Sequence, residues 1–226
     1  IIMINEEILK SEIINLVNKF NSKSYDHVIS SSSALIKKYP KIPILYNLLG
    51  ASYSAKNDNK LAVTNFKKAI ELDKQNFEYY NNLGKSYFAL NLFNEAKKSF
   101  EESIQIEQNN YDAFFNIALI YQAEKKYENS ISFYKKSIEL NNNFSIAYYN
   151  LGIIYANIGE INLAKEKYKK AFTIDNNYFK AYNNYASLLI SQKKYQEAKE
   201  SLDKAISINP NYFEAKHNMG VLYLEQ

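Results

Sequence analysis

Five asparagines recur at a strict interval of 34 residues: Asn82, Asn116, Asn150, Asn184 and Asn218. A side-chain amide carries both an acceptor and donors without net charge. A column of them could pair with the backbone of an extended peptide whatever its side chains. Around this column stand Phe115, Leu119, Ile146, Tyr149 and Ile153, an apolar stretch. Polar residues flank it: Asn47, Asn81, Lys85 and Glu78 on one side, Lys180, Asn183 and Ser187 on the other. An apolar centre with polar ends suits an extended segment with one or two hydrophobic anchors. Of these residues, Asn47, Asn81, Lys85, Phe115, Leu119, Tyr149, Ile153, Asn183 and Ser187 could instead pack partly against a neighbouring helix. The chemistry on offer is recognition.

Bond-making chemistry finds no constellation. His27 and His217, the two histidines, fall near opposite ends of the chain, so neither a two-histidine metal site nor a histidine-based triad is expected. Carboxylates such as Glu101, Glu102, Glu197 and Glu200 read as solvated helix faces with no pocket to perturb them. Neither a G-x-G-x-x-G nor a G-x-x-x-x-G-K-[ST] segment occurs, so no phosphate loop is expected. We expect no catalytic residue, no cofactor and no metal. Asn143-Phe144-Ser145 matches a glycosylation acceptor, which one chance match in an asparagine-rich chain explains.

Composition narrows the partners. The net charge is +4, and every basic residue is a lysine. Lys67-Lys68, Lys135-Lys136 and Lys169-Lys170 recur, but Glu101-Glu102 interrupts the series. A nucleic-acid surface wants a continuous basic stripe or arginine forks, so none is expected. No apolar run approaches the ~20 residues that span a bilayer, so no membrane partner is expected. With no cysteine there are no disulfides. That fits a reducing compartment, and we expect a cytoplasmic protein.

What positions the asparagines is an internal repeat. Gly50, Gly84, Gly152 and Gly220 sit at multiples of 34, each followed three residues later by Tyr53, Tyr87, Tyr155 or Tyr223. With Pro43 as position one, repeats begin at 43, 77, 111, 145, 179 and 213, after a divergent one near Leu9. Positions four, seven, eight and eleven (Tyr80, Leu83, Gly84, Tyr87 in one repeat) share one helix face. Positions twenty, twenty-four and twenty-seven (Ala96, Phe100, Ser103) share a face of a second helix. Small residues at eight, twenty and twenty-seven permit close backbone approach, and the aromatics fill the remaining volume. Position fifteen (Asn57, Asn91, Gly159) tolerates the left-handed conformation of a helix end. Asn109-Asn110, Asn141-Asn142-Asn143, Asn176-Asn177 and Asn209-Pro210 mark turns between repeats. Thirteen helices in antiparallel pairs are predicted. Positions two, five, six, nine and thirteen point away from the core, and the asparagine column is position six.

This pattern resembles the tetratricopeptide repeat family over residues 9–226. The signature positions are the aromatic at four, Leu-Gly or Ile-Ala at seven and eight, Tyr at eleven, Ala at twenty, the aromatic at twenty-four and Ala or Ser at twenty-seven. Proline at thirty-two is present only as Pro40 and Pro210. The resemblance implies an all-α, right-handed superhelical solenoid of tandem antiparallel helix pairs whose first helices line a concave groove for peptides. Its asparagine column is similar to that of O-linked N-acetylglucosamine transferases. The carboxylate clamp of chaperone-binding arrays is not matched: no repeat has Lys at five or Arg at six, and Lys180 and Asn150 fit it only in isolation.

The expected organisation is an extension over 1–8, a capping repeat over 9–42, five regular repeats over 43–212 and the first helix of a further one over 213–226. Glu12, Asn15 and Lys19 make the leading repeat polar, as a cap requires. At the other end Met219, Val221, Leu222 and Tyr223 form an apolar stripe without a partner helix. Continuation of the chain or self-association through 213–226 would cover it. The expected function is a non-catalytic scaffold binding an extended peptide or protein. The alternative is the substrate-recruiting part of a larger modifying enzyme, of glycosyltransferase or sulfotransferase type, implied by analogy alone.

Overall fold

The computed structural model describes residues 2–225, with side chains from residue 7 onward; Ile1 and Gln226, the outer ends of the expected terminal segments, lie outside. Among the described residues there are thirteen helices and no strand. In chain order they are α1 (Ile2–Asn21), α2 (Tyr25–Lys38), α3 (Pro43–Ala55), α4 (Asn59–Leu72), α5 (Phe77–Ala89), α6 (Phe93–Ile106) and α7 (Tyr111–Ala123). There follow α8 (Tyr127–Leu140), α9 (Ser145–Asn157), α10 (Ile161–Ile174), α11 (Phe179–Ser191), α12 (Tyr195–Ile208) and α13 (Phe213–Glu225). The fold is an all-α repeat array of the solenoid class. Helices α3, α5, α7, α9, α11 and α13 each start at position one of a repeat.

Each helix pair closes on its small residues. A Cβ on Gly84 would meet the Phe100 ring at 2.6 Å, and one on Gly152 would meet the Tyr168 ring at 2.7 Å. In these repeats position eight touches position twenty-four too closely for a larger residue without a shift of the ring, and Ala118 and Ala186 keep the position small elsewhere. Ala62, Ala96, Ala164 and Ala198 at position twenty are fully buried. So is position three (Leu45, Ala113, Ala147, Ala181, Ala215), which the helix-face argument left out of the core.

The turns follow the same period. Asn57, Asn91 and Gly159 adopt positive φ at position fifteen, and so do Lys23, Lys125 and Lys193. Lysine thus fills a left-handed site that its residue type does not announce. Between repeats, the side-chain oxygens of Asp73, Glu107, Asn141, Asp175 and Asn209 each accept from the N–H two residues on, at 3.0–3.1 Å. This side-chain turn does the work that proline does in only two repeats.

The chain forms two compact units, Ile1–Ile120 and Tyr121–Gln226. In the N-terminal unit, Leu16, Val28, Leu45 and Leu48 join the leading helices, and Ala62, Phe66 and Leu83 join α4 to α5. In the C-terminal unit, Ala186, Leu189, Ala198, Leu202, Ala205, Ala215 and Leu222 form one cluster of α11, α12 and α13. Leu222 is fully buried there, which removes it from the expected open stripe; Phe213, Tyr223 and Leu224 are exposed. No described helix is long and apolar enough to cross a membrane.

Candidate functional site

Within each unit, first helices of successive repeats lie alongside one another, α3 with α5 and α11 with α13. This contact decides which positions remain open. Position five is closed at Asn47, Asn81 and Asn183, which are 9 %, 7 % and 4 % exposed, whereas Tyr149 is partly exposed and His217 is exposed. Of the two readings of these three residues, lining an open surface is corrected and packing against the neighbouring first helix holds. Phe115 is buried too, so the apolar surface stretch does not include it. Position six stays partly exposed in Asn82, Asn116, Asn150, Asn184 and Asn218.

The amide nitrogens of all five are engaged within the chain. Asn82 donates to Asn47 Oδ1 at 3.0 Å and Asn218 to Asn183 Oδ1 at 2.9 Å. Asn184 donates to the Tyr149 hydroxyl at 3.3 Å. Each of these bonds joins position six of one repeat to position five of the repeat before it. Asn116 donates instead to the Asp112 carbonyl at 2.7 Å, and Asn150 to the Ile146 carbonyl at 3.0 Å. A carbonyl only accepts, so the atom facing it must be nitrogen. Four Oδ1 atoms, those of Asn82, Asn116, Asn150 and Asn218, have no partner among the described residues. Asn184 Oδ1 accepts from Asn183 at 3.2 Å. The amides of Asn82 and Asn218 thus join repeats through their nitrogens, those of Asn116 and Asn150 bond within their own helices, and Asn184 uses both ends.

In the N-terminal unit the row passes beside a cavity of about 500 Å3 lined by Glu78, Asn81, Asn82, Lys85, Asn110 and Asp112, with Phe77 and Tyr111. Asp112 Oδ2 accepts from Asn81 at 2.9 Å and pairs with Lys85 at 2.6 Å. Its wall is held by a buried network: Asn110 donates to Ser103 Oγ and Ser103 to the Phe77 carbonyl, both at 2.8 Å. The Asn110 side-chain oxygen receives the Ala113 N–H at 3.2 Å, which fixes the start of α7.

In the C-terminal unit Tyr149 belongs to the packing as much as to the surface. Its ring meets Tyr178 edge-on at 4.9 Å and Tyr168 at 5.9 Å. Burial pushes the Tyr149 phenol up, and the Asn184 amide partly offsets this. Beside it Ile146 is 39 % exposed, Ile153 is partly exposed and Lys180 is exposed. Leu119, in the N-terminal unit, is partly exposed. No group of three or more His, Cys, Asp or Glu among the described residues could hold a metal ion.

Sequence reasoning missed the role of position five, because a buried asparagine has no signature in hydrophobic periodicity. A signal existed in the interval of 35 residues separating Asn47 from Asn82 and Asn183 from Asn218.

Comparison with known proteins places the repeats. One model of the tetratricopeptide repeat matches residues 77–110, 111–144 and 179–212, and another matches 133–166. A model described as a TPR repeat matches 50–91. No curated protein matches the chain. Among solved structures, pilF of Pseudomonas aeruginosa is 16 % identical with a TM-score of 0.82, over 95 % of this chain and 98 % of that one. YrrB, described as a TPR protein with an unusual peptide-binding site, is 24 % identical with a TM-score of 0.61, over 84 % and 97 %. MamA is 25 % identical with a TM-score of 0.63, over 72 % and 95 %.

Proposed function

Because the chain carries tetratricopeptide repeats over 50–166 and 179–212, we propose that it is a non-catalytic module binding an extended peptide or protein segment along its first helices. The observation that supports this reading is the orientation of the position-six amides. Their nitrogens are held inside the chain, and the oxygens of Asn82, Asn116, Asn150 and Asn218 are not. Within each unit these oxygens offer acceptors, and the complementary donors on an extended peptide are its backbone N–H groups. Because each amide is already tied down, little side-chain entropy is lost on binding.

Ile146, Ile153 and Lys180 supply side-chain contacts beside the row in the C-terminal unit, and Leu119 does so in the N-terminal unit. The reading is tested with peptides recovered from a displayed random library on the immobilised chain. Methylation of alternate backbone nitrogens should abolish binding of a recovered peptide, while most side-chain truncations leave it nearly unchanged. Indifference to backbone methylation would exclude recognition through the asparagine oxygens.

A further inference from the structure

The pairing of position six with position five has one break inside the N-terminal unit. Asn81 and Asn116 are 35 residues apart, as are Asn47 and Asn82, yet they do not bond. Asn116 turns to the Asp112 carbonyl and Asn81 donates to the Asp112 carboxylate. Asn81 is 7 % exposed, and its Oδ1 is left buried with no hydrogen-bond partner among the described residues. A buried acceptor without a donor is costly, and native structures rarely keep one without a use. In the preceding repeat the equivalent oxygen, Asn47 Oδ1, is filled by Asn82.

This orphan stands in the wall of the 500 Å3 cavity, and the rest of that wall is also rich in acceptors. Asp112 uses Oδ2 for both Asn81 and Lys85, which leaves Oδ1 open. Glu78 is exposed and makes no ion pair among the described residues. The donors are already occupied once each: Asn81 on Asp112, Asn82 on Asn47, Asn110 on Ser103, Lys85 on Asp112. Two carboxylates face a single ammonium. What the cavity lacks is a cationic group with several donors in a plane, and a guanidinium has that shape. The chain itself contains no arginine to supply it.

We propose that this cavity seats an arginine side chain of the bound peptide, its guanidinium held by Glu78 and Asp112 Oδ1, with Asn81 Oδ1, covered in the free protein, accepting from it once Lys85 moves aside. The proposal rests on the peptide-binding reading and adds a sequence preference to it. Lys85, on Asp112 in the free protein, shares or yields the carboxylate when the guanidinium arrives.

The test starts from peptides recovered from a displayed random library on the immobilised chain. The affinity of one recovered peptide is then measured for the native chain and for Glu78→Gln and Asp112→Asn, with circular dichroism confirming that both variants fold. We expect the recovered peptides to share an arginine. Its replacement by citrulline, the uncharged isostere, should weaken binding by about tenfold. Glu78→Gln should weaken the arginine peptide by about fivefold and leave the citrulline peptide unchanged. Recovered peptides without a shared arginine, or a citrulline peptide that binds equally well, would overturn this inference and leave the peptide-binding reading standing. So would a citrulline effect that neither Glu78→Gln nor Asp112→Asn alters, since the arginine would then sit elsewhere. Recovery of no peptide at all would overturn both.

Discussion

Asn218 donates its amide nitrogen to the side-chain oxygen of Asn183 at 2.9 Å, joining α13 to α11 across 35 residues. Asn183 is almost wholly buried, so loss of the bond leaves its side-chain oxygen stranded. A double-mutant cycle of Asn183→Ala and Asn218→Ala should give a coupling of about 0.5–1.5 kcal/mol in denaturant unfolding. The matching cycle at Asn81 and Asn116, where no bond is made, should give a coupling near zero. Equal coupling in the two cycles would contradict the pairing.

Two helical glycines should respond in opposite ways to the same change. A Cβ on Gly84 would sit 2.6 Å from the buried Phe100 ring, whereas one on Gly220 would meet nothing within 4 Å. Gly84→Ala should cost about 1–3 kcal/mol through overpacking. Gly220→Ala should be neutral or stabilise by up to about 1 kcal/mol through helix propensity. Urea titrations followed by circular dichroism measure both, and a stable Gly84→Ala would refute the close approach.

Lys125 and Lys193 hold φ of 59° at the end of first helices, where Gly159 stands at 83°. An L side chain with a Cβ disfavours that conformation. Lys193→Gly should therefore stabilise the chain by about 0.5–1 kcal/mol, as a rise in urea midpoint. A fall would show that the lysine side chain contributes more than its backbone strain costs.

Alkaline pH should unfold the chain through its tyrosines. Burial pushes the Tyr168 phenol up to about 12, and it raises Tyr134 and Tyr178 as well. The folded state then binds these protons more tightly than the unfolded chain, whose tyrosines titrate near 10.0. The stabilisation is full below about pH 10 and is lost as pH rises through about 12. Tyrosinate absorbance and helical circular dichroism, followed together, should show these residues ionising only as the helices melt. Complete ionisation with helicity intact would contradict their burial.

The fold was legible because the period carried it. Close packing of position eight on position twenty-four follows from Gly84 and Phe100 being small and aromatic at fixed places, and the structure has them in contact. The left-handed turn was readable at Asn57, Asn91 and Gly159 and unreadable at Lys125, since lysine has no preference for it. The site was only half legible. The sequence pointed to position six as a polar column, but it could not tell which end of each amide was already used. That depends on position five, whose Asn183 and Asn47 are polar residues buried by the neighbouring first helix. The break at Asn81 depends further on Asp112, a residue 31 places away that competes for its nitrogen.

The central claim is that the position-six asparagines act as acceptors for a peptide backbone. Its most direct test compares one recovered peptide with its copy methylated on alternate backbone nitrogens, against the native chain and against Asn116→Ala with Asn150→Ala. We predict that methylation abolishes binding to the native chain, and that the double replacement weakens the unmodified peptide while helicity is retained. Equal affinity for both peptides, or full affinity in the variant, would contradict the account.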